Sequence, residues 1–144
     1  MIRPAHSADL DALTELQSYL AAPAPELLAS VPALGTCLVS VAGGGRTDRP
    51  VGYVLVIGDA HIAEVAIHPA YRREGRARAL LRAVIADREP GARLTLTVAV
   101  DNDAARSLYE SVGFEEIGRQ SGFYEIEGGE RAVDAVVYAY DVPE

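Results

Sequence analysis

The sequence predicts an α/β (α+β) fold, with a mixed sheet of about seven strands and about four helices on its faces. Three observations favour this class. First, β-rich and helical segments alternate in the order β-α-(α)-β-β-β-α-β-α-β-β, an order typical of mixed sheets covered by helices. Second, the segment after residue 76 carries apolar residues at i, i+3, i+4, i+7 and i+8, the period of a helix buried on one side. Third, the length of 144 residues, 49% of them hydrophobic, suits a single domain over 1–144.

The first half of the chain is predicted to hold four strands, at 1–5, 37–41, 51–57 and 61–67. Ser7 is placed as the N-cap of the first helix. The apolar face of this helix consists of leucines at helical spacing: Leu10, Leu13, Leu16 and Leu20. Pro23 and Pro25 end the helix, and a short helical turn is expected over 26–30. The glycine-rich segment 43–50 is expected to be a mobile turn that joins the second and third strands as a hairpin.

The second half begins with the helix that has the strongest periodic pattern. Its apolar positions are Ala77, Leu80, Leu81, Val84 and Ile85. Pro90 and the following glycine end it. A short helix is predicted over 104–111, with Asn102 or Asp103 as its N-cap and Gly113 at its end. Three further strands are predicted, at 94–100, 114–126 and 132–142.

The composition argues against several classes of function. The net charge is −8, from 21 acidic and 13 basic residues that are all arginine, which disfavours nonspecific binding to nucleic acid or to an anionic membrane. Cys37 is the only cysteine, so no intrachain disulfide or cysteine metal cluster is expected. The three histidines, His6, His61 and His68, lack metal-ligand spacing, and no metal is predicted. Neither a membrane span nor a signal peptide is recognisable, so we expect a cytoplasmic location.

One segment, residues 72–93, is positively charged although the chain as a whole is negatively charged. Residues 72–93 hold seven arginines against three acidic residues, a net charge of +4, whereas residues 94–144 carry −8. The basic segment coincides with a strand-to-helix turn, and the unpaired N–H groups of a helix N-terminus suit a phosphate. Gly75 and Ala77 are small enough to let an anion approach the backbone. The residues alone leave a solvated arginine-rich helix face open as the other interpretation.

Two longer motifs point to a known family. Residues 62–77 read Ile-Ala-Glu-Val-Ala-Ile-His-Pro-Ala-Tyr-Arg-Arg-Glu-Gly-Arg-Ala, in which Arg72-x-x-Gly75-x-Ala77 opens a helix. Residues 101–114 read Asp-Asn-Asp-Ala-Ala-Arg-Ser-Leu-Tyr-Glu-Ser-Val-Gly-Phe. The two segments resemble, in the same order, the two signatures of the GNAT superfamily of N-acetyltransferases.

Within that superfamily the chain most resembles the ribosomal-protein-alanine N-acetyltransferases. The similarity lies in the length, the spacing from Asn102 to Tyr109 and the closing segment 129–137. The resemblance implies a GNAT-like domain whose twisted sheet is mostly antiparallel and splays apart between its fourth and fifth strands.

The resemblance also implies acetyl-CoA as a cosubstrate, bound between the strands at 61–67 and 94–100. The pantetheine amides would meet backbone groups at the end of the first of these strands, namely those of Val65, Ala66 and Ile67. The pyrophosphate and the 3′-phosphate would meet the turn and its arginines. The residues implied there are Arg72, Arg73, Glu74, Gly75, Arg76, Ala77 and Arg78. Asn102 would both cap its helix and contact the pantetheine.

Tyr109 is the predicted catalytic residue. The resemblance implies direct attack by an amine on the thioester in a ternary complex, with a backbone N–H near Ile67 stabilising the oxyanion. A phenol has a pKa of about 10 and a thiol of about 8.5, so Tyr109 can donate a proton to the leaving sulfur at neutral pH. Without its motif, a tyrosine in a short helix is more often a packing residue.

The general base is where this chain departs from the group it resembles. The ribosomal-alanine group carries a Glu five residues before the motif Asn, and this chain has Thr97 there. Glu64, on the neighbouring strand, is the predicted base, with His61 or a water chain as alternatives. Strand alternation places Glu64 and His61 on opposite faces, so at most one of them faces the substrate.

The predicted function is acetyl transfer from acetyl-CoA to a primary amine, either a protein N-terminus or a small molecule. The alternative is a noncatalytic acyl-CoA-binding sensor or interaction domain on the same fold, which Thr97 keeps open. Neither nucleic acid nor membrane is an expected partner, and a homodimer is left open. Phe123 and Tyr124 are candidates to line the amine pocket, with hydrophobic core as their default interpretation.

Overall fold

A computed structural model describes residues 1–20, 26, 28, 35–42, 49–58, 60–125 and 132–144, apart from the side chains of 122–125 and 132. These residues divide into two compact units, Met1–Arg88 and Glu89–Glu144. Most of the predicted turns over 26–30 and 43–50 lies outside the described residues, as do the side chains of Phe123 and Tyr124. A single domain over 1–144 and the splay between strands four and five stay predictions.

The first unit holds four antiparallel strands paired in chain order. They are β1 (Ile2–Pro4), β2 (Gly35–Val41), β3 (Pro50–Ile57) and β4 (His61–Ile67). β3 is buried along almost its whole length, as expected for a near-continuous apolar strand covered on both faces. All four strands lie within two residues of their predicted bounds.

The N-terminal cap differs from the prediction. Ser7–Asp9 form a 3-10 turn whose N-cap is His6, so the assignment of Ser7 as the cap is wrong. The Asp9 carboxylate accepts the His6 N–H at 2.7 Å and forms an ion pair with Arg3 at 2.8 Å. The charge-assisted bonds of the Asp9 carboxylate to Arg3 and to the His6 N–H hold this helix start more firmly than a serine hydroxyl would.

The first helix is shorter than its leucine pattern predicts. α1 spans Leu10–Gln17, with Leu13 and Leu16 buried in the core of the first unit. Leu10 is 47% exposed, and Leu20 lies beyond the helix end, partly buried against the same core. Only two of the four leucines are therefore fully buried. The polar Gln17 is buried beside them on the same face of α1.

A β-bulge in β4 changes which side chains share a face of the sheet. The paired residues are Leu55 with Glu64, Val56 with Ile62 and Ile57 with His61. Ala63 is thus an extra residue on β4, and an extra residue reverses the alternation beyond it. His61 and Glu64 consequently lie on the same face, and the prediction that they face opposite sides is wrong.

The second helix, α2, spans Arg76–Ala86 and confirms the periodic pattern. Leu80, Leu81 and Val84 are its buried residues. Asp87 is its C-cap, three residues before Pro90.

The second unit contains three strands in the order β5-β7-β6, all antiparallel. These are β5 (Arg93–Ala99), β6 (Glu115–Glu125) and β7 (Ala132–Asp141). The third helix, α3, spans Asp103–Val112. Asn102 is its N-cap, and its Oδ1 accepts the Ala105 N–H at 3.2 Å. Gly113 ends the helix at φ 118°, in the left-handed region that favours glycine.

Candidate functional site

The turn between β4 and α2 holds two residues in the left-handed backbone conformation. Pro69–Tyr71 form a 3-10 turn capped by His68, whose Nδ1 accepts the Ala70 N–H at 3.0 Å. Beyond this turn, Arg73 has φ 65° and Gly75 has φ 79°. For a non-glycine residue this conformation costs roughly 1 kcal/mol, and such strain is concentrated at ligand-binding turns.

The first turn of α2 provides backbone donors. The first intrahelical bond runs from the Ala79 N–H to the Gly75 carbonyl at 3.0 Å. The N–H groups of Arg76, Ala77 and Arg78 precede that bond and point out of the helix end. A Cβ on Gly75 would meet no atom within 4 Å, so φ rather than crowding calls for glycine in this structure. Outward N–H groups and the positive end of the helix dipole fit a pyrophosphate.

The arginines of the turn have different roles in the structure. Arg72 Nε donates to the Ile67 carbonyl at 3.1 Å and so connects the turn to the end of β4. Arg73 and Arg78 have exposed side chains. Of these three guanidinium groups, Arg72 therefore shapes the turn, and the other two present positive charge on the surface.

Arg76 is held by three neighbours in the first unit. Its Nε pairs with Glu74 at 2.8 Å, its Nη1 donates to Ser40 Oγ at 3.1 Å, and its guanidinium lies 5.4 Å from the centre of the Tyr71 ring. A cleft of about 430 Å³ opens beside these groups. It is lined by Met1, Ile2, Ser40, Glu74, Gly75, Arg76 and Ala79. The side chains of Glu74 and Arg76 thus stabilise the start of α2.

The end of β4 packs its side chains into the first unit. Ala66 is 3% exposed, Ile67 is 8% exposed, and Val65 is partly buried. The register pairs Val65 with Val54 on β3. The side chains of this segment therefore pack in the core of the first unit, and any contact with pantetheine would use the backbone.

Glu64 is buried beneath α1 in a cluster of polar groups. Its side chain accepts hydrogen bonds from Gln17 Nε2 at 2.9 and 3.2 Å and from the Tyr53 hydroxyl at 2.9 Å. Gln17 and Tyr53 are themselves buried. We call Gln17, Tyr53 and Glu64 the Glu64 cluster. Its only signal in the sequence is that Gln17 falls on the apolar face of α1, four residues after Leu13.

Burial and the nearby Glu64 carboxylate shift the pKa values of Cys37 and Tyr53. Burial, with the nearby charges of Asp9 and Glu64, raises the pKa of the Cys37 thiol to about 12. Burial and the adjacent Glu64 carboxylate also raise the pKa of Tyr53 well above its ordinary value. Both groups are therefore neutral at physiological pH, and Tyr53 acts as a hydrogen-bond donor to the carboxylate.

His61 shares the face of Glu64 but has a different environment. Its side chain is exposed, whereas that of Glu64 is 6% exposed. Partial burial of the ring lowers the pKa of His61 below its ordinary value of 6.5. The imidazole is consequently neutral at pH 7 and able to accept a proton.

Tyr109 lies on α3 in the second unit, partly buried. Its ring contacts two aromatic side chains, with centroids 6.1 Å from Phe114 and 6.2 Å from Tyr138. Asn102, which begins this helix, uses its side-chain oxygen as the cap. The roles of Tyr109 and Asn102 toward acetyl-CoA stay predictions.

A second polar cluster, which the sequence did not predict, supports α3. Arg106 Nε donates to the Tyr138 hydroxyl at 3.1 Å, and that hydroxyl donates to Glu110 Oε2 at 2.7 Å. Arg106 Nη1 also donates to the Val100 carbonyl at 3.0 Å. We call Arg106, Glu110 and Tyr138 the Tyr138 cluster. An arginine and a glutamate at i and i+4 on a short helix were its available signal.

In the part of the chain that the structure describes, no group of three or more His, Cys, Asp or Glu side chains is arranged to hold a metal ion. Among the helices described, none has both the length and the apolar composition that crossing a membrane requires.

Comparison with known proteins identifies the family. Residues 38–127 match the acetyltransferase (GNAT) domain family. The chain therefore belongs to this family, as its two motifs predict, and the α/β fold class is confirmed.

More particular similarities are to N-terminal acetyltransferases. The chain is 34% identical over 96 residues to the N-alpha-acetyltransferase RimI of Mycobacterium tuberculosis, covering 67% of this chain and 57% of that protein. It is 36% identical over 90 residues to the ribosomal protein bS18-alanine N-acetyltransferase of Escherichia coli K12, covering 61% of this chain and 60% of that protein. The matches thus span less than two thirds of these relatives' length.

Solved structures extend the likeness to the whole chain. The crystal structure of the ribosomal-protein-S18-alanine N-acetyltransferase from Escherichia coli has a TM-score of 0.84 at 25% identity, covering 100% of this chain and 94% of that one. Arabidopsis thaliana NAA60 in complex with acetyl-CoA has a TM-score of 0.82 at 19% identity, covering 99% and 98%. The second likeness supports the fold alone.

Proposed function

We propose that this protein transfers the acetyl group of acetyl-CoA to a primary amine, with a peptide N-terminus as the preferred acceptor. The observation that carries the proposal is the turn before α2, where left-handed Arg73 and Gly75 precede a helix end with outward N–H groups. That arrangement suits a pyrophosphate, and it occurs in a chain of the acetyltransferase (GNAT) family.

Acetyl-CoA is proposed to bind through the backbone more than through side chains. The N–H groups of residues 73–78 would hold the pyrophosphate, and the exposed Arg73 and Arg78 would neutralise the 3′-phosphate. Arg72 and Arg76 would act indirectly, because their donors already hold the turn in shape. The backbone of 65–67 would meet the pantetheine amides.

The proposed reaction is one direct displacement. The neutral amine attacks the thioester carbonyl carbon, and a backbone N–H near Ile67 stabilises the oxyanion. The C–S bond then breaks, the sulfur takes a proton from Tyr109, and the nitrogen loses a proton to a base. The products are an amide and free CoA thiol.

For the base, the structural environment favours His61 over Glu64. The Glu64 carboxylate is buried and already accepts hydrogen bonds from Gln17 and Tyr53. His61 is exposed on the same face, and its lowered pKa keeps it neutral at pH 7. Ile67 lies six residues after His61 on β4, about 20 Å along an extended strand. We therefore propose that His61 receives the proton through a chain of water molecules, and we retain Glu64 as the alternative to be tested against it.

The relatives' names and the charge of the chain support a peptide acceptor. Both curated relatives are named as N-acetyltransferases, one of them acting on an alanine of ribosomal protein bS18. Residues 94–144 carry a net charge of −8, which favours the approach of a cationic amine or a basic peptide. A cytoplasmic location and a homodimer stay predictions.

The test is an acceptor panel in which release of CoA thiol is followed. The panel contains peptides with free N-terminal alanine, serine or glycine, a peptide with a free lysine side chain and a blocked N-terminus, and a polyamine. We expect turnover with the α-amine peptides and none with the same peptides N-acetylated beforehand. Acetyl-CoA binding without turnover on any acceptor would contradict the proposal and support the noncatalytic acyl-CoA sensor.

The two candidate bases are separated by substitution. We expect His61→Gln to lower kcat by about 10²-fold and to remove the acidic limb of the pH–rate profile, as for loss of a general base. Glu64→Gln keeps the shape of the buried side chain and should retain that limb. The reverse pattern would assign the base to Glu64.

A further inference from the structure

The Tyr138 cluster joins a strand to both flanks of the proposed catalytic residue. Tyr138 on β7 is fully buried, and its hydroxyl uses an acceptor site for Arg106 and its proton for Glu110. Arg106 and Glu110 are one helical turn apart on α3, at positions i−3 and i+1 from Tyr109. The hydroxyl of Tyr138 therefore fixes the rotation of α3 about its axis at the turn that carries Tyr109.

The same side chain also supports the Tyr109 ring. The centroids of Tyr138 and Tyr109 are 6.2 Å apart at an interplanar angle of 54°, and Phe114 flanks Tyr109 at 6.1 Å. The Phe114 N–H donates to the Tyr109 carbonyl at 3.0 Å, which holds the helix end against the start of β6. Tyr109 thus lies against aromatic neighbours, one of which is anchored by charged groups.

Arg106 anchors the arrangement to the rest of the second unit. Besides Tyr138, it donates to the Val100 carbonyl at 3.0 Å and lies 3.7 Å from the Glu116 carboxylate. A planar guanidinium with several fixed donors resists rotation better than a single hydrogen bond does. Its contacts join the end of β5, β6 and β7 to one turn of α3.

We propose that Tyr138, held by Arg106 and Glu110, is a positioning residue for Tyr109 that sets the direction in which the Tyr109 hydroxyl points during acetyl transfer. The inference rests on the proposed function, in which Tyr109 protonates the leaving sulfur. A catalytic group displaced by about 1 Å can lose about 10²-fold in rate. Tyr138 thereby contributes to kcat without contacting a substrate.

The decisive experiment is a double-mutant cycle on kcat. Tyr138→Phe keeps the buried ring and removes the hydroxyl that joins Arg106 to Glu110. We expect this variant to lose about 10-fold in kcat with an unchanged KM for acetyl-CoA, because the turn between β4 and α2 is untouched. In a Tyr109→Phe background the same change should cost less than twofold, since no hydroxyl remains to be positioned. Equal losses in both backgrounds would overturn the inference and leave Tyr138 a structural residue.

Two controls separate the outcomes. Tyr140→Phe removes a hydroxyl two residues along β7 and should leave kcat unchanged. Glu110→Gln retains an acceptor for the Tyr138 hydroxyl and should lose much less kcat than Glu110→Ala. If the wild-type protein shows no turnover, the proposed function fails and the inference fails with it. If it turns over but the cycle shows no coupling, the inference alone fails.

Discussion

The Glu64 cluster and the Tyr138 cluster show how differently the two units surround their charged side chains. In the first unit, the Glu64 carboxylate is buried and accepts hydrogen bonds from the neutral donors Gln17 and Tyr53. In the second, the Tyr138 hydroxyl connects Arg106 to Glu110, and Glu110 is exposed to solvent. A fully buried charge depends on each of its partners, whereas a cluster that reaches solvent can exchange a lost partner for water. Loss of the Glu64 cluster should therefore mainly lower the free energy of unfolding. Loss of the Tyr138 cluster should mainly change the position of α3 and of the Tyr109 side chain.

The largest expected effect concerns the reactivity of Cys37 in the native and the unfolded chain. Cys37 is the only cysteine of the sequence and is buried in the first unit. Its pKa of about 12, against an ordinary 9.0, lowers the thiolate fraction at pH 8 about a thousandfold. We expect alkylation of the native protein to be slower than that of the urea-unfolded chain by at least this factor. Stopped-flow or mass-spectrometric alkylation at pH 8 measures it. Comparable rates in both states would show that the thiol is not enclosed.

Removing the carboxylate of the Glu64 cluster should have the next largest effect. Glu64→Ala leaves the Tyr53 hydroxyl and the Gln17 amide without this acceptor and creates a cavity, so we expect a loss of about 3 kcal/mol in the free energy of unfolding. Tyr138→Phe should cost only about 1 kcal/mol, because water can reach Glu110. Urea denaturation of both variants compares them, and equal losses would contradict the distinction between the clusters.

Gly75, in the turn between β4 and α2, can be compared with Gly58, a matched glycine outside that turn. Gly75 and Gly58 both have positive φ, and at each a Cβ would meet nothing within 4 Å. An alanine should therefore cost about 1 kcal/mol of stability at either position. Only Gly75→Ala should weaken acetyl-CoA binding, by about 10-fold in calorimetric Kd, because only there is the backbone expected to meet the pyrophosphate. Equal Kd values for the two variants would remove the turn from the cofactor site.

The smallest expected effect concerns the pH dependence of two ion pairs. The Arg3 guanidinium holds the pKa of buried Asp9 below 3.8 in the first unit. The stabilisation is therefore present above the unfolded pKa and is lost as pH falls through the lower folded pKa. Asp9→Asn should reduce stability by about 1 kcal/mol at pH 7 and by much less at pH 2.5.

The exposed pair of Arg93 and Asp141 in the second unit is the comparison for Asp9. Hydrogen bonding to Arg93 also lowers the pKa of Asp141, but both side chains are more than half exposed. Asp141→Asn should consequently change stability less than Asp9→Asn at pH 7. A larger effect at Asp141, measured by urea denaturation at both pH values, would contradict the role assigned to burial.

The sequence predicts a strand or helix correctly where a single pattern of apolar residues extends over the whole element. The bounds of β4 agree with the prediction, and α2 carries the expected buried face. The face of His61 could not be predicted, because one extra residue at Ala63 reverses the alternation and leaves no compositional mark. The cap at His6 depends on a carboxylate three residues later and on Arg3, a combination that outweighs the local preference for Ser7.

In the candidate site, too, the features formed by neighbouring residues could be predicted, and those formed by residues distant in sequence could not. Its backbone elements follow from motifs contiguous in sequence, such as Gly75 before α2 and Asn102 before α3. The polar clusters join residues far apart in the chain, with Gln17 and Glu64 separated by 47 positions and Arg106 and Tyr138 by 32. No local pattern specifies such pairs, because their contact depends on the packing of elements that have already formed.

The proposed role of Tyr109 is to assist acetyl transfer from acetyl-CoA to a peptide amine. Its most direct test is the rate of CoA thiol release at saturating acetyl-CoA and acceptor peptide, compared between wild type, Tyr109→Phe and the control Tyr140→Phe. We expect kcat to fall about 10²-fold in Tyr109→Phe and to remain unchanged in Tyr140→Phe. An unchanged kcat in Tyr109→Phe, in a wild-type protein that turns over, would contradict the account.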